Sequence, residues 1–440
     1  MIFTSLSRED IIRKYLEIEK ELDRVKKEKE ALEKELRKYK NPNTPPSAHP
    51  HLKPSVNPST PGRKRGAPFG HNGVTRQRKP KGVLRHILQK ECPNCGSRRI
   101  SVLRQQHQQQ EELPPEIQPL IIDVVRDVCR CNECNLKFIA RDGITPIQGR
   151  FGVNLMVLVI FLKFIIRGVL RKTTKFLDAS FAMKLAPASV HAIIERVAKA
   201  GEVEYAVLKS KIRAARLLYA DETSFRVLGK TWWVWVFRSD TDLLLIIRKS
   251  RGNNVIQEIL GKEYSGTVVC DCWRAYDFLS NAQLQRCWAH LLRKSKELKG
   301  VPGRHFNAKL KRLFEEIIEF NTIERTQVER EQEYVRLTNQ LEKFIKYYSK
   351  YDDCKAVVKY IGFHLENWFI CVKVAGVQPT NNYAEQAIRE TVLVRKIFGA
   401  FRSEKGTETY ETLASLITTW QMQKKDVKAE LTRMLKANLC

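Results

Sequence analysis

Three carboxylates in this chain are placed where they could share metal ions. Asp221 lies in LLYADETSF and Asp271 in VVCDCWRAYDF, each following a short apolar run of strand character. Glu385 lies far downstream in TNNYAEQAIRE, a segment with helical spacing. Carboxylates at strand ends and on a nearby helix can converge and hold two Mg2+ ions. Such a pair activates a water or a DNA 3′-hydroxyl and stabilises the leaving oxygen of a phosphodiester. Taken singly, an Asp after a strand is also a turn former or a helix cap. Glu222 and Asp277 are the nearest competing acids. Strand alternation turns Glu222 to the face opposite Asp221, and Asp277 falls on the helix expected after the second strand.

The second group with chemistry is thiol. Cys92-Pro-Asn-Cys95 and Cys131-Asn-Glu-Cys134 offer four thiolates to a tetrahedral Zn2+, which would be structural because protein fills every position. The gap between the pairs exceeds the usual zinc-ribbon spacing, and two unrelated pairs is the plainer alternative. QPLIIDVVRDV, between them, has the strand character a ribbon needs, and Cys129 is an extra thiol beside Cys131. The eleven cysteines are odd in number, and with these spacings they fit a reducing cytoplasm better than a disulfide scaffold.

These groups must be positioned by a chain of 440 residues, too long for one compact core, so about two to four domains are expected. A net charge of +29, from 78 Lys+Arg against 49 Asp+Glu, favours a polyanionic partner and nucleic acid above all. A generic basic surface or attraction to an anionic membrane are the alternatives. A membrane span is not expected. The most apolar stretch, 151–170, is interrupted by Lys163 and Arg167 and reads as a buried helix. The opening MIFTSLSRED lacks a basic flank followed by an apolar core, so no secretory signal is expected.

Along the chain, Tyr15, Ile18, Leu22, Val25, Lys29, Leu32, Leu36 and Tyr39 alternate at spacings of three and four. That is a heptad seam with a polar break at Lys29, and it predicts a coiled coil over 1–40. A Pro/Gly-rich linker follows over 41–84, with no acid between Arg63 and Lys90. Its Arg63, Lys64, Arg65, Arg76, Arg78, Lys79 and Lys81 suit a flexible arm on phosphates or in a minor groove. The zinc-ribbon-like region occupies 85–148. Residues 149–210 are expected to be helical, with RKTTKFLDAS, a turn, and a second helix starting near Pro187. Val190, Ile193, Ile194 and Val197 would form that helix's buried face, leaving Ser189, His191, Ala192 and Arg196 towards a groove. This is a helix-turn-helix candidate, and an ordinary helical hairpin has the same pattern.

From Leu217 the pattern changes to strands in the order β-β-β-α-β, through TWWVWVFRS, LLLIIRKSR and TVVCDCW. The tryptophans of TWWVWVF read as core. A catalytic core over 211–290 and 379–425 is thus expected, split by a helical insertion over 291–378 and followed by a tail helix over 426–440. On the segment after Glu385, Arg389, Arg395 and Lys396 are placed to hold DNA phosphate, or form a solvated face.

Together these residues resemble the transposases of the insertion-sequence-66 family, which carry an Asp-Asp-Glu triad on a ribonuclease-H-like fold. The resemblance spans nearly the whole chain: the N-terminal seam, NPNTPPS, GRKRGAPFGHNG, both CxxC pairs, ADET, CDCWRAY, CWAHLLRK and TNNYAEQAIR. The last four segments are the specific ones. The resemblance implies that Asp221, Asp271 and Glu385 are the triad and bind two Mg2+, for which Mn2+ can substitute. It implies a cytoplasmic, nucleoid-associated enzyme acting on double-stranded DNA as a homo-oligomer, at least a dimer. Small accessory proteins encoded by the element are possible partners. Cys287 and His290 in RCWAHLLRK resemble a Cys-x-x-His element found after the second aspartate in related transposases. With only these two ligands visible, no metal is assigned there; orienting a helix or contacting the DNA end is the expected role. The rival readings are a catalytically idle transposase kept as a DNA-binding regulator, and a repair nuclease of the same fold.

Overall fold

The computed structural model describes residues 17–19, 21–25, 27–32, 87–106 and 117–440. Contacts divide the chain into two units, Met1–Ile117 and Gln118–Cys440. In the first, the described positions between 17 and 32 are helical, and Ile18, Leu22, Val25 and Leu32 of the heptad seam are exposed. Tyr15, Leu36 and Tyr39 lie outside the described residues. So do the arm residues Arg63, Lys64, Arg65, Arg76, Arg78, Lys79 and Lys81.

The second unit opens with a small antiparallel pair, β1 (Val128–Arg130) and β2 (Lys137–Ile139). The QPLIIDVVRDV run reads as strand in sequence, yet only at Val128 does it gain a ladder partner, and Leu120, Ile121 and Val125 are exposed. β-propensity without a pairing edge leaves no ladder to form.

Four helices come next: α1 (Val153–Ile160), α2 (Leu170–Phe181), α3 (Pro187–Ala200) and α4 (Glu202–Ala214). The stretch 151–170 is not the single helix its hydropathy suggests. A π-helical turn, Phe161–Ile165, ends α1, and Arg167 takes a φ of 58°. Gly168 then folds back so closely that its N–H donates to Leu162 O at 2.8 Å, where a Cβ would stand 2.9 Å from that oxygen. Pro187 opens α3, and Val190, Ile193, Ile194 and Val197 are its buried face, with Arg196 half-buried.

The sheet follows. β3 (Leu217–Val227), β4 (Lys230–Arg238) and β5 (Leu243–Arg248) form an antiparallel meander. After α5 (Asn253–Ile259), β6 (Thr267–Cys270) and β7 (Gln283–Arg286) add in parallel on the other side of β3. The order is β5-β4-β3-β6-β7. This mixed α/β arrangement is compatible with a ribonuclease-H-like core. β7 is the strand that sequence pattern misses, because QLQR has no apolar period. Its Gln285 is nonetheless fully buried, with its amide engaged by main chain: it donates to Arg286 O and Trp368 O and accepts from Cys371 N.

After β7 come α6 (Trp288–Lys296), α7 (Gly300–Phe320), α8 (Gln327–Tyr348), α9 (Asp352–Gly362) and α10 (Ile370–Lys373). They carry their own buried cluster, which reaches Tyr219 and Val269 of the sheet. The chain then returns through α11 (Asn382–Phe398), α12 (Glu404–Met422) and α13 (Val427–Leu439). Period-two alternation sorts the strands between layers. Leu218, Ala220, Trp235, Phe237, Leu244 and Ile246 join α1, α3, α4, α12 and α13 in one core. The opposite face places Phe225, Val234, Val236 and Leu245 against α11 and α12. The helices within 149–210, read above as a helix-turn-helix candidate, therefore share a core with the sheet. No described helix is long and apolar enough to cross a membrane.

Candidate active site

Register brings Asp221 and Asp271 together. β3 pairs with β6 in parallel with Tyr219 opposite Val269. Each aspartate lies two residues further on, so both sit on the face of Tyr219 and Val269. Asp221 is inside its strand rather than at its end, since β3 continues to Val227 against β4. The end that matters is that of β6, which stops at Cys270 and leaves both carboxylates where the parallel pairing has run out.

The electrostatics of this corner are those of crowded acids. Burial, and then the charges of Glu222, Asp271 and Glu385, push the Asp221 carboxyl up to about 8. The Glu222 N–H opposes this, donating to Asp221 Oδ1 at 2.9 Å. The Trp273 N–H donates to Asp271 Oδ1 at 2.8 Å. The fully buried Arg286 donates through Nη1 to the Asp271 carbonyl at 2.7 Å, while its Nη2 pairs with Asp277. Asp277 lies on a 3-10 turn, Arg274–Phe278, and serves Arg286.

Glu222 faces away from Asp221, as alternation requires. Its carboxylate accepts from Arg251 at 2.8 Å and from Tyr276 OH at 2.9 Å. The Arg251 guanidinium in turn lies over the Trp233 and Trp273 rings, at 4.5 and 4.0 Å from their centroids. Trp232 and Trp235 are buried in the core, and Trp233 is partly covered by this contact.

Glu385 reaches the aspartates because the two ends of the helical insertion are tied together. At the exit, Cys287 caps α6; at the return, Asn381 precedes α11. The Trp288 N–H donates to Pro379 O at 3.0 Å, and the Asn381 N–H to Cys287 Sγ at 3.2 Å. Asn381 is fully buried, and its Nδ2 donates at 2.7 Å to Ala220 O, one residue before Asp221. Glu385 sits in the first turn of α11, and its Oε1 lies 3.9 Å from His290 Nδ1. Asn381, Arg286 and Arg251 were not singled out by sequence pattern. For Asn381 a signal existed: it directly precedes a helical run, a capping position where Asn is favoured.

Asn381→Ala removes the donor to Ala220 and should cost about 1–3 kcal/mol of stability, read from the denaturant midpoint. An unchanged midpoint would refute the clamp.

The basic residues downstream of Glu385 divide. Arg389 and Lys396 are exposed, whereas Arg395 donates through Nη1 to Ser224 O on β3 at 2.5 Å. Each CxxC pair forms the same tight turn within its own unit. Gly96 N donates to Cys92 O at 2.9 Å, and Asn135 N to Cys131 O at 3.0 Å. Gly96 and Asn135 both take left-handed backbone, with φ of 72° and 59°. The N–H groups of Cys95 and Asn94 hold the Cys92 thiol below its ordinary range, and those of Cys134 and Glu133 do the same for Cys131.

A family model described as "Transposase IS66 family" matches residues 148–409. That span contains both aspartates, the whole insertion and Glu385. The chain is also similar to an uncharacterized protein, y4hP, of Sinorhizobium fredii. The two are 22% identical over 393 residues, covering 78% of this chain and 70% of that protein.

Proposed function

Because the chain belongs to the IS66 family of transposases, we propose that it cuts and joins DNA at the ends of its own insertion sequence with Asp221, Asp271 and Glu385 as catalytic triad. The observation that carries this is that three acid-bearing segments are brought to one corner of the sheet, close enough for Asp271 and Glu385 to act on the Asp221 carboxyl: β3–β6 register for the first two, the Asn381 tether for the third. The cluster fits divalent cations. Burial, and then the charges of the neighbouring acids, push the Asp221 carboxyl up to about 8, and Glu385 Oε1 is shielded from solvent with no hydrogen-bond partner. Mg2+, or Mn2+ in its place, would supply Lewis-acid activation of water or a 3′-hydroxyl and stabilise the leaving oxygen.

The chain's own groups do the rest. Asp221, Asp271 and Glu385 would hold the cations. Trp273 N–H and Arg286 fix the Asp271 side chain and main chain. Water and then the exposed 3′-hydroxyl serve as nucleophiles, so no covalent protein–DNA intermediate is needed. Exposed Arg389 and Lys396 lie further along α11 for phosphate, while Arg395 fastens that helix to β3. The basic arm, the α2–α3 pair and the CxxC turns, each with two thiols suited to Zn2+, would recognise the terminal repeats. The exposed seam at Ile18, Leu22, Val25 and Leu32 would pair protomers so that two DNA ends are held together. The test is Mg2+-dependent cleavage and joining of labelled DNA carrying the ends that flank the gene. End-specific binding with no cleavage would favour the idle regulator.

A proton signature follows from Asp221. With its carboxyl pushed up to about 8, the cation-free protein holds a proton there at pH 7, and cation binding must release it. Mg2+ titrated at pH 7 in two buffers of different ionisation enthalpy should therefore show release of up to about one proton, and Mg2+ affinity should rise with pH until about 8. The stability sign is opposite. Between an unfolded value of about 3.9 and the folded one, the native state binds the extra proton. Without Mg2+, stability thus falls as pH rises from about 4 through about 8. Buffer-independent heats would contradict this account.

A further inference from the structure

We propose that Cys287, His290 and Glu385 form a binding site for a thiophilic divalent cation of the Zn2+ class, beside the triad and sharing its glutamate. Sequence spacing exposed only two of these ligands; the fold supplies the third. Among the described residues, these three are the one group of three or more Cys, His, Asp or Glu whose ligand atoms all lie within 4.8 Å of one another. The triad carboxylates are not drawn that close. A sulfur, an imidazole nitrogen and a carboxylate oxygen are a donor set for zinc rather than for magnesium, which takes oxygen ligands.

The cluster is built rather than incidental. Cys287 caps α6 and His290 is three residues on, so both donors project from one face of its first turn. Glu385 approaches from the first turn of α11. His290 Nδ1 and Glu385 Oε1 are both shielded from solvent and both lack a hydrogen-bond partner. At 3.9 Å they are too far apart to satisfy each other by a hydrogen bond. A cation between them satisfies both atoms at once, which a direct bond at this distance cannot. The sulfur is oriented from behind by the Asn381 N–H, the kind of outer contact that fixes a metal ligand.

The consequence for chemistry rests on the transposase reading: zinc here would draw the Glu385 carboxylate towards His290 and Cys287 and so oppose Mg2+-dependent activity. The site itself does not rest on that reading. The test is zinc stoichiometry of the full-length protein, dialysed against zinc chloride and measured by elemental analysis, for wild type, His290→Ala and Cys287→Ser. His290 is partly exposed and Ser preserves the volume of Cys287, so far-UV dichroism should match wild type. Each variant should bind one equivalent fewer than wild type, and low zinc should inhibit wild-type cleavage more than that of either variant. Equal stoichiometry in all three proteins overturns the site even if the Mg2+-dependent chemistry holds. A lost equivalent in a protein that, once freed of zinc, still shows no Mg2+-dependent DNA cleavage upholds the site and counts against the transposase reading instead.

Discussion

Asp271→Asn should reduce Mg2+-dependent DNA cleavage and joining on the order of a thousandfold or more, and Glu385→Gln should do the same. Each change keeps the shape of the side chain and removes one anionic ligand from a site where cations would stabilise developing charge. Losing about 4 kcal/mol of that stabilisation corresponds to a thousandfold in rate. DNA binding should survive, because it draws on a net charge of +29 and on exposed basic residues. The same mutation carries an opposite thermodynamic signature. Asp271 is one of the charges that push Asp221 up, so above about pH 8, where Asp221 is ionised, Asp271→Asn relieves like-charge crowding in the cation-free protein. At such pH that variant should therefore unfold at a higher temperature than wild type without Mg2+ and lose the stabilisation that Mg2+ gives wild type. Cleavage assays on labelled element ends, with melting curves with and without Mg2+, read both effects. Undiminished strand transfer in Asp271→Asn would sink the triad assignment.

Glu411→Ala should destabilise the fold by about 3–5 kcal/mol, the cost of stranding buried charge and main chain together. The reason is how the sheet edge is closed. β5 is an outer strand, and α12 lies along it with Glu411, Ser415 and Thr419 facing the strand's free N–H groups. Ile247 N donates to Glu411 Oε1 at 2.9 Å, Leu245 N to Ser415 Oγ at 2.9 Å, and Leu243 N to Thr419 Oγ1 at 3.0 Å. Four residues of helix rise about 6 Å, and two residues of strand about 6.6–6.8 Å, so the two rows stay in step for three contacts. Glu411 also pairs with Arg248 at 3.0 Å, and burial pushes its carboxyl up against that partner's pull. Glu411→Ala leaves Ile247 N without an acceptor and exposes a strand edge to other chains. Glu411→Gln keeps an acceptor for the N–H and should cost less, and Ser415→Ala should cost about 1–2 kcal/mol. Urea unfolding orders the three. A Glu411→Ala midpoint equal to wild type would show that the edge is held by other contacts.

What could be read along the chain was whatever depends on near neighbours. LLYADETSFRV announces a strand by its β-forming run, and LLLIIRKSR by a short continuous apolar run buried on both faces; they became β3 and β5. Pro187 and the Val190, Ile193, Ile194 and Val197 stripe announce α3 for the same local reason. Residue types narrowed the chemistry too: acids after apolar runs, thiols two apart, an excess of positive charge. These residues as they stand also carried the likeness to the transposase family that the match over 148–409 bears out.

Failures of reading came where a distant partner decides. QLQR forms a strand because Trp368 and Cys371, more than eighty residues on, engage Gln285. QPLIIDVVRDV has strand composition yet joins a strand ladder only at Val128, because propensity cannot provide an edge. Hydropathy could not locate the π-helical turn at Phe161–Ile165, because close approach of backbone at Gly168 leaves no mark on composition. The sequence by itself therefore determined the catalytic vocabulary and most of the elements, since both are properties of residue type and local period. Only the tertiary structure decided which acids meet, because a two-residue offset beyond the Tyr219–Val269 pairing and a buried Asn381 are contacts between segments far apart in the chain. The third donor to Cys287 and His290 was settled in the same way: Glu385 reaches them only after the insertion's ends close on each other.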